Sequence, residues 1–231
     1  MEIEQFLGLV RRRRSIRKFK PDPIPDEYVE KIIEAARWAM SGANAQPWEF
    51  IVIKDQRTKE KIGEIYRESR REMNSMEMIR SDSFRHRIVD TSKPPPFKDA
   101  PTLIVVCGDL RTLQASVAGT NFTGGGGPSS TYMKNMANAT HTMQLAAAAL
   151  GLGSGWISVH NMEQPLKRLL DVPDILEIHT IVPVGYPAEV PAPGNRRGLK
   201  ELMHFEKYDR ARFRSGDEII EFIQELRKTR R

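Results

Sequence analysis

Six of the eight residues from Arg11 to Lys18 are cationic, within the run RRRRSIRKFKPDPIP, which then turns from basic to proline-punctuated. Ser15, Ile16 and Phe19 interrupt the charges, whereas a nucleic-acid arm is usually a mobile, low-complexity terminus. Adjacent guanidiniums followed by a hydroxyl, as in Arg13, Arg14 and Ser15, suit a phosphate monoester, whose oxygens accept bidentate, charge-assisted hydrogen bonds. Arg17, two residues beyond the serine, is placed to reach another negative centre of the same ligand. The plainer reading is a solvated basic helix end, which the macrodipole favours.

Other candidate chemistry falls away. GLGSG at 151–155 follows a helical pattern and leads into a strand, the reverse of the dinucleotide-binding turn, which follows a strand and opens a helix. GGGGPSST lacks the lysine and spacing of a P-loop and reads as a surface loop. His86, His141, His160, His179 and His204 have no partner at ligand spacing, so no metal site is expected. Cys107, the single cysteine, sits in the apolar run TLIVVCGD and reads as a buried small hydrophobe. No serine occupies a nucleophile elbow. If the chain is an enzyme, a cofactor supplies its reactivity.

The elements that must position the basic run follow from hydrophobic period. Ile3, Phe6, Leu7 and Val10 mark a short amphipathic helix before the arginines. Asp26 is an expected N-cap for a second helix with Val29, Ile32, Ile33, Ala36 and Ala39 on its buried stripe. WEFIVIKD reads as a strand leading to a charged helix from about Gln56, and residues 74–100 read as an irregular cover or lid. TLIVVC is a strand buried on both faces, and TYMKNMANATHTMQLAAAALGLG a central helix expected to be covered all round. SGWIS and HTIVPVGYP supply further strands, and SGDEIIEFIQELRK a last amphipathic helix. Without strict βαβ alternation, this order implies an α+β domain, a mixed β-sheet with helices on both faces. At 231 residues and a net charge of +6 the chain suits one domain with a nucleic-acid, membrane-surface or anionic-ligand partner. Lacking an apolar leader or a span-length segment, it is expected to be cytoplasmic, with no membrane association.

Four blocks together, RRRSIRKFKPDPIP, EAARWAMSGANAQPWEFIVI, AAAALGLGSGWIS and VPVGYPAEVPAPGNRRGLKELMHFE, resemble the FMN-dependent nitroreductase superfamily in order and separation. The resemblance implies an α+β homodimer with FMN at the subunit interface, reduced by NADH or NADPH and reoxidised by an electron-poor small molecule, with no nucleic acid. By position it implies Arg13, Arg14 and Ser15 at the phosphate and ribityl chain. Arg17 falls at the pyrimidine edge of the flavin, where reduction deposits negative charge. Met40, Ser41, Gly42 and Asn44 fall in a loop against the flavin, reached across the interface. Trp156, Ile157 and Ser158 fall beside the ring, and Arg196 and Arg197 at the phosphate from the C-terminal side. It further implies an FMN-binding domain over 1–210, with insertions at 74–100 and 119–130, and a helical extension at 211–231 packing on the partner. Met40 stands where members usually have proline, and Gly198 where they usually have the proline of Arg-Pro-Leu. Glu64, Tyr66 and Glu72 loosely echo the Glu, Tyr and Lys with which iodotyrosine deiodinase grips an amino-acid zwitterion. Reductive dehalogenation of a halophenol is therefore the alternative activity, and flavin holding or nucleic-acid binding the non-enzymatic one.

Overall fold

The computed structural model describes residues 2–80, 88–116 and 127–228. The expected lid and glycine-rich loop lie partly outside these residues. Its elements in chain order are α1 (Ile3–Arg12), α2 (Asp26–Arg37), β1 (Trp48–Ile53), α3 (Gln56–Met78), β2 (Thr102–Gly108), α4 (Leu110–Ser116), α5 (Gly127–Ala149), β3 (Gly153–Ser154), β4 (Ile157–Ser158), α6 (Glu163–Leu170), β5 (Glu177–Gly185), α7 (Leu199–Leu202) and α8 (Gly216–Lys228). Helix α3 continues five residues into the stretch read as irregular. Two compact units divide the chain, Met1–Pro191 and Ala192–Arg231, so a boundary drawn at 210 falls inside the second.

In the first unit the sheet runs β1-β2-β5-β3, with β4 also pairing β5, and all these ladders are antiparallel. A parallel bridge between Ser15 and Ser154 extends it at the edge. Strand β2 is buried along its whole length because both its faces are covered. Ile104 and Val106 join Val182 and Val184 beneath α2 and α5, while Leu103, Val105 and Cys107 join Ile181 on the side of α3 and α6. The alternation divides one apolar run between two cores.

Two local expectations are corrected. Pro25 takes the N-cap position of α2, no side chain caps the helix, and Asp26 instead forms an ion pair with Lys54. Proline fixes its own φ, so the entry angle is set one residue earlier than the aspartate. Helix α5 is not covered all round in the single chain. It buries Tyr132, Met136, Ala139, Met143 and Ala147 but exposes Met133, Lys134, Ala137 and His141. Methionine and alanine fall on both its buried and its exposed sides, so composition alone did not separate them.

The second unit carries α7 and α8. The carboxylate of Glu201 accepts the Gly198 N–H at 3.1 Å and pairs with Arg197 at 3.5 Å and Arg214 at 3.4 Å. Both guanidiniums stand over the Phe222 ring, at 5.8 and 4.3 Å from its centroid.

Candidate functional site

The basic run leaves α1 extended and docks on the sheet edge. Ile16 donates its N–H to the Ser154 carbonyl at 2.9 Å, Lys20 donates to the Tyr186 carbonyl at 2.8 Å, and Phe19 bridges to Pro187. Ile16 and Phe19 are buried, which holds the flanking Ser15, Arg17 and Lys18 at the surface. The glycines of GLGSG serve this docking. A Cβ at Gly153 would lie 2.6 Å from Ile16 Cγ1, and one at Gly155 2.8 Å from the Ile16 carbonyl oxygen. Only glycine lets the two backbones approach so closely.

Two cavities flank this junction. Arg12, Arg13, Arg14 and Ser154 are among the residues around the smaller, of about 150 Å³. Arg14 is half-buried, and its guanidinium donates to the carbonyls of Arg11 and of Arg13, the latter at 2.9 Å. The larger, of about 490 Å³, takes Ser15 and Arg17 on one side with Gly155, Trp156, Ile157 and Ser158. Ile16 lines both cavities. The larger is completed by Tyr66, Arg67 and Arg70 from α3 and by residues 89–91 and 93–97. Tyr66 meets Phe97 edge to face at 5.1 Å.

The loop Met40–Asn44 lines neither cavity of the single chain. It is clamped from α5: Asn135 Oδ1 accepts the Gly42 N–H at 3.0 Å and Asn138 Nδ2 donates to the Met40 carbonyl at 3.1 Å. Ser41 Oγ accepts the Gln46 N–H at 3.1 Å. Ala43, Asn44 and Gln46 all hold positive φ, between 44° and 54°. Non-glycine residues rarely accept this, and such strain concentrates at functional segments. Asn135 is 2 % exposed and its Nδ2 has no partner, alone among described buried side-chain polar atoms. Arg196 and Arg197 belong to the second unit. Arg196 donates to the carbonyls of Gly194 and Asn195, at 3.2 and 3.0 Å, and Arg197 is held by Glu201.

Sequence reasoning missed the polar links that fix the walls. Asn161 joins Ser69 and Glu72 of α3 to the turn after β4, where His160 has a φ of 44°. Asn74 holds Val89 at both backbone groups, donating to its carbonyl at 2.8 Å and accepting its N–H at 3.1 Å. Of the loose echoes of a zwitterion grip, Tyr66 lines the larger cavity, whereas Glu64 pairs with Arg67 and Glu72 with Asn161. On the far side of β2, Tyr132 and His179 form a buried pair at 2.9 Å. Burial raises the tyrosine pKa and lowers that of the histidine, and pushes the Cys107 thiol up to about 11, far from a reactive thiolate. Among the described residues no group of three or more His, Cys, Asp or Glu side chains could hold a metal ion, and no helix is long and apolar enough to cross a membrane.

Guanidiniums and a hydroxyl around one cavity, with an arginine and an aromatic wall around a second that shares Ile16 as lining, form a donor set that fits a phosphorylated aromatic cofactor. Residues 10–186 match the nitroreductase family, and the chain belongs to that family of oxidoreductases. A Methanothermobacter thermautotrophicus protein named "Putative NADH dehydrogenase/NAD(P)H nitroreductase" is 28% identical over 214 residues, 87% of each chain. Iodotyrosine deiodinase 1 of Mus musculus is 28% identical over 214 residues, 88% of this chain and 70% of that protein. In fold, the FMN-dependent nitroreductase of Clostridium difficile R20291 superposes with a TM-score of 0.64 at 24% identity, covering 87% of this chain and 99% of that one.

Proposed function

We propose that this chain is an FMN-dependent NAD(P)H oxidoreductase that reduces an electron-poor organic compound, a nitroaromatic, quinone or enone, by ping-pong hydride transfer. The observation that carries the reading is the docking of Ser15–Arg17 on Ser154, which unites the cationic run and the Gly155–Ser158 segment around one pair of cavities. Arg13, Arg14 and Ser15 would hold the phosphate, and Trp156–Ser158 would lie beside the ring. FMN bound there supplies the two-electron relay between nicotinamide and oxidant. Arg17 would hold a fixed positive charge at the pyrimidine edge, and the Tyr66 and Phe97 rings would exclude water from the stacked substrate. Donor and oxidant occupy the cavity in turn, which accounts for one site without a separate dinucleotide motif.

The site is read as shared between two chains. Supporting this, the strained loop Met40–Asn44 lines neither of the two cavities described, and Trp38 and Met40 are 76% and 78% exposed. The exposed strip of α5 and the open apolar side of α1, with Ile3, Phe6 and Val10, support it too. A dimer at low concentration is expected by light scattering, and a flavin-loaded monomer overturns this part.

The test is colour followed by turnover. The purified protein should show FMN absorbance, bleach anaerobically with NADH or NADPH, and recover with one class among nitroaromatic, quinone, enone and halophenol compounds. A protein that binds no flavin refutes the proposal, and one that binds it but is not bleached is a flavin holder. Recovery with halophenols alone favours dehalogenation, the reading to which the deiodinase relatives lend weight.

A further inference from the structure

We propose that the oxidant reduced at this site is an aromatic compound carrying an anionic group, such as a carboxylate, received by Arg70 and Lys93. The inference rests on the reading of the larger cavity as the flavin and substrate site. Among the described residues four cations line that cavity, Arg17, Arg67, Arg70 and Lys93, against one acid, Asp90. The phosphate-binding candidates Arg13 and Arg14 line the smaller cavity instead, so Arg70 and Lys93 stand apart from them.

Arg70 differs from its neighbours on α3. Arg67 pairs with Glu64 and Arg71 with Glu68, each three residues back along the helix. At the same spacings Arg70 meets Tyr66, Arg67, Met73 and Asn74, none of them acidic. Its guanidinium rests 5.1 Å over the Tyr66 ring, and Nη1 points to Met73 Sδ at 3.6 Å. Both contacts hold the group in place and leave its charge unbalanced. Among the described residues neither Arg70 nor Lys93 forms an ion pair. Asp90 is held below the usual carboxylate range because Ser92 donates both its hydroxyl and its N–H to the carboxylate, at 2.6 and 2.9 Å, with a smaller contribution from the charge of Lys93. With Arg67 answered by Glu64, this one carboxylate, shared with a serine, faces Arg17, Arg70 and Lys93.

The basic wall is also prebuilt. Asn74 pins the backbone of the 88–93 segment to α3, and Ser69–Asn161–Glu72 ties α3 to the end of β4. A neutral ring entering here would desolvate a guanidinium without pairing it, whereas a carboxylate gains two charge-assisted bonds at little ordering cost. The guanidinium lies over the Tyr66 ring, which itself packs edge to face against Phe97. The chemistry balances as for a neutral nitroarene: NAD(P)H is oxidised to NAD(P)+, and the nitro group takes two electrons and two protons, losing one oxygen as water to give the nitroso compound.

The experiment compares 4-nitrobenzoate with 4-nitrobenzamide as oxidants of the flavin-loaded, reduced protein, and benzoate with benzamide as dead-end ligands read by flavin absorbance. The intact protein should prefer the carboxylate in both assays. Arg70→Gln should lower that preference about tenfold or more, Lys93→Gln should lower it less, and Arg70→Lys should restore part of it. Equal handling of charged and neutral partners by the intact protein overturns the proposal. So does a fall in flavin reduction by NADH or NADPH as large as the fall with 4-nitrobenzoate, which would assign the cations to the donor. Should Arg70→Gln not fold, Arg70→Lys and Lys93→Gln decide by the same ratio. A protein that retains no flavin, or is not reduced by either nicotinamide, brings down the underlying reading and this one with it. A reducible protein indifferent to charge brings down this one alone.

Discussion

Ile16 donates its backbone N–H to the carbonyl of Ser154 at 2.9 Å, and the two chains approach this closely because Gly153 presents no side chain to Ile16. Gly153→Ala places a methyl group 2.6 Å from Ile16 Cγ1. It is expected to cost about 1–3 kcal/mol through overpacking. Urea unfolding monitors the loss, and an unchanged midpoint contradicts this contact.

Arg14→Ala is expected to weaken FMN retention by roughly tenfold to a hundredfold, equivalent to about 1.5–3 kcal/mol for one charge-assisted contact. Titration of the flavin-free protein with FMN, followed by fluorescence quenching, reads the change. Wild-type affinity would return Arg14 to a simple cap on the carbonyls at the end of α1.

Arg17→Gln keeps hydrogen-bond donors and removes a charge. It should lower the midpoint potential of bound FMN and slow its reduction while leaving oxidised FMN bound, since the charge favours the more negative state. Spectroelectrochemical titration beside the wild type tests this. An unchanged potential with normal reduction kinetics makes Arg17 a solvated arginine.

Asn135→Ala removes the acceptor of the Gly42 N–H, and a cost of about 1 kcal/mol is expected. Amide hydrogen exchange should quicken across Ser41–Gln46, whose strained conformers depend on the clamp. Asn135→Asp retains the acceptor and should retain protection at Gly42; equal exchange in both variants would sink the clamp.

His179 is buried against Tyr132, and its pKa is lowered from 6.5 because burial disfavours the charged ring. The unfolded chain therefore takes up a proton first as pH falls. Stability is fully present above the unfolded value of 6.5 and declines below it until the folded histidine also titrates. Denaturant midpoints at pH 7 and pH 5 should differ more for the wild type than for His179→Gln, and equal slopes would show that the ring titrates freely.

Periodicity carried much of this fold into view. The apolar stripe of α2 and the continuous run of β2 declared their burial locally, because helix and strand periods differ. The cationic segment was legible as a docked stretch rather than a free arm because buried Ile16 and Phe19 alternate with its charges. Less legible were the long-range polar links. Asn135 to Gly42, Asn161 to α3 and Asn74 to Val89 each join residues distant in sequence, and an asparagine bears no mark of its partner. The positive φ angles of Ala43, Gln46 and His160 were equally hidden, since no glycine announces them. Arg70 became visible as a candidate only once the fold set it on the cavity wall without an acid beside it.

The Ser15–Ser154 bridge also fixes an order of events during synthesis. The cationic segment leaves the ribosome before the edge it docks on, and that edge is supported by β5, which lies between β2 and β3 and is made later still. Until Glu177–Gly185 has emerged, Ser15–Arg17 has no backbone partner and the arginines surround no cavity. An anion held by these arginines would therefore not nucleate the fold; its binding would wait on closure of a long chain segment and act only on the last stages of assembly.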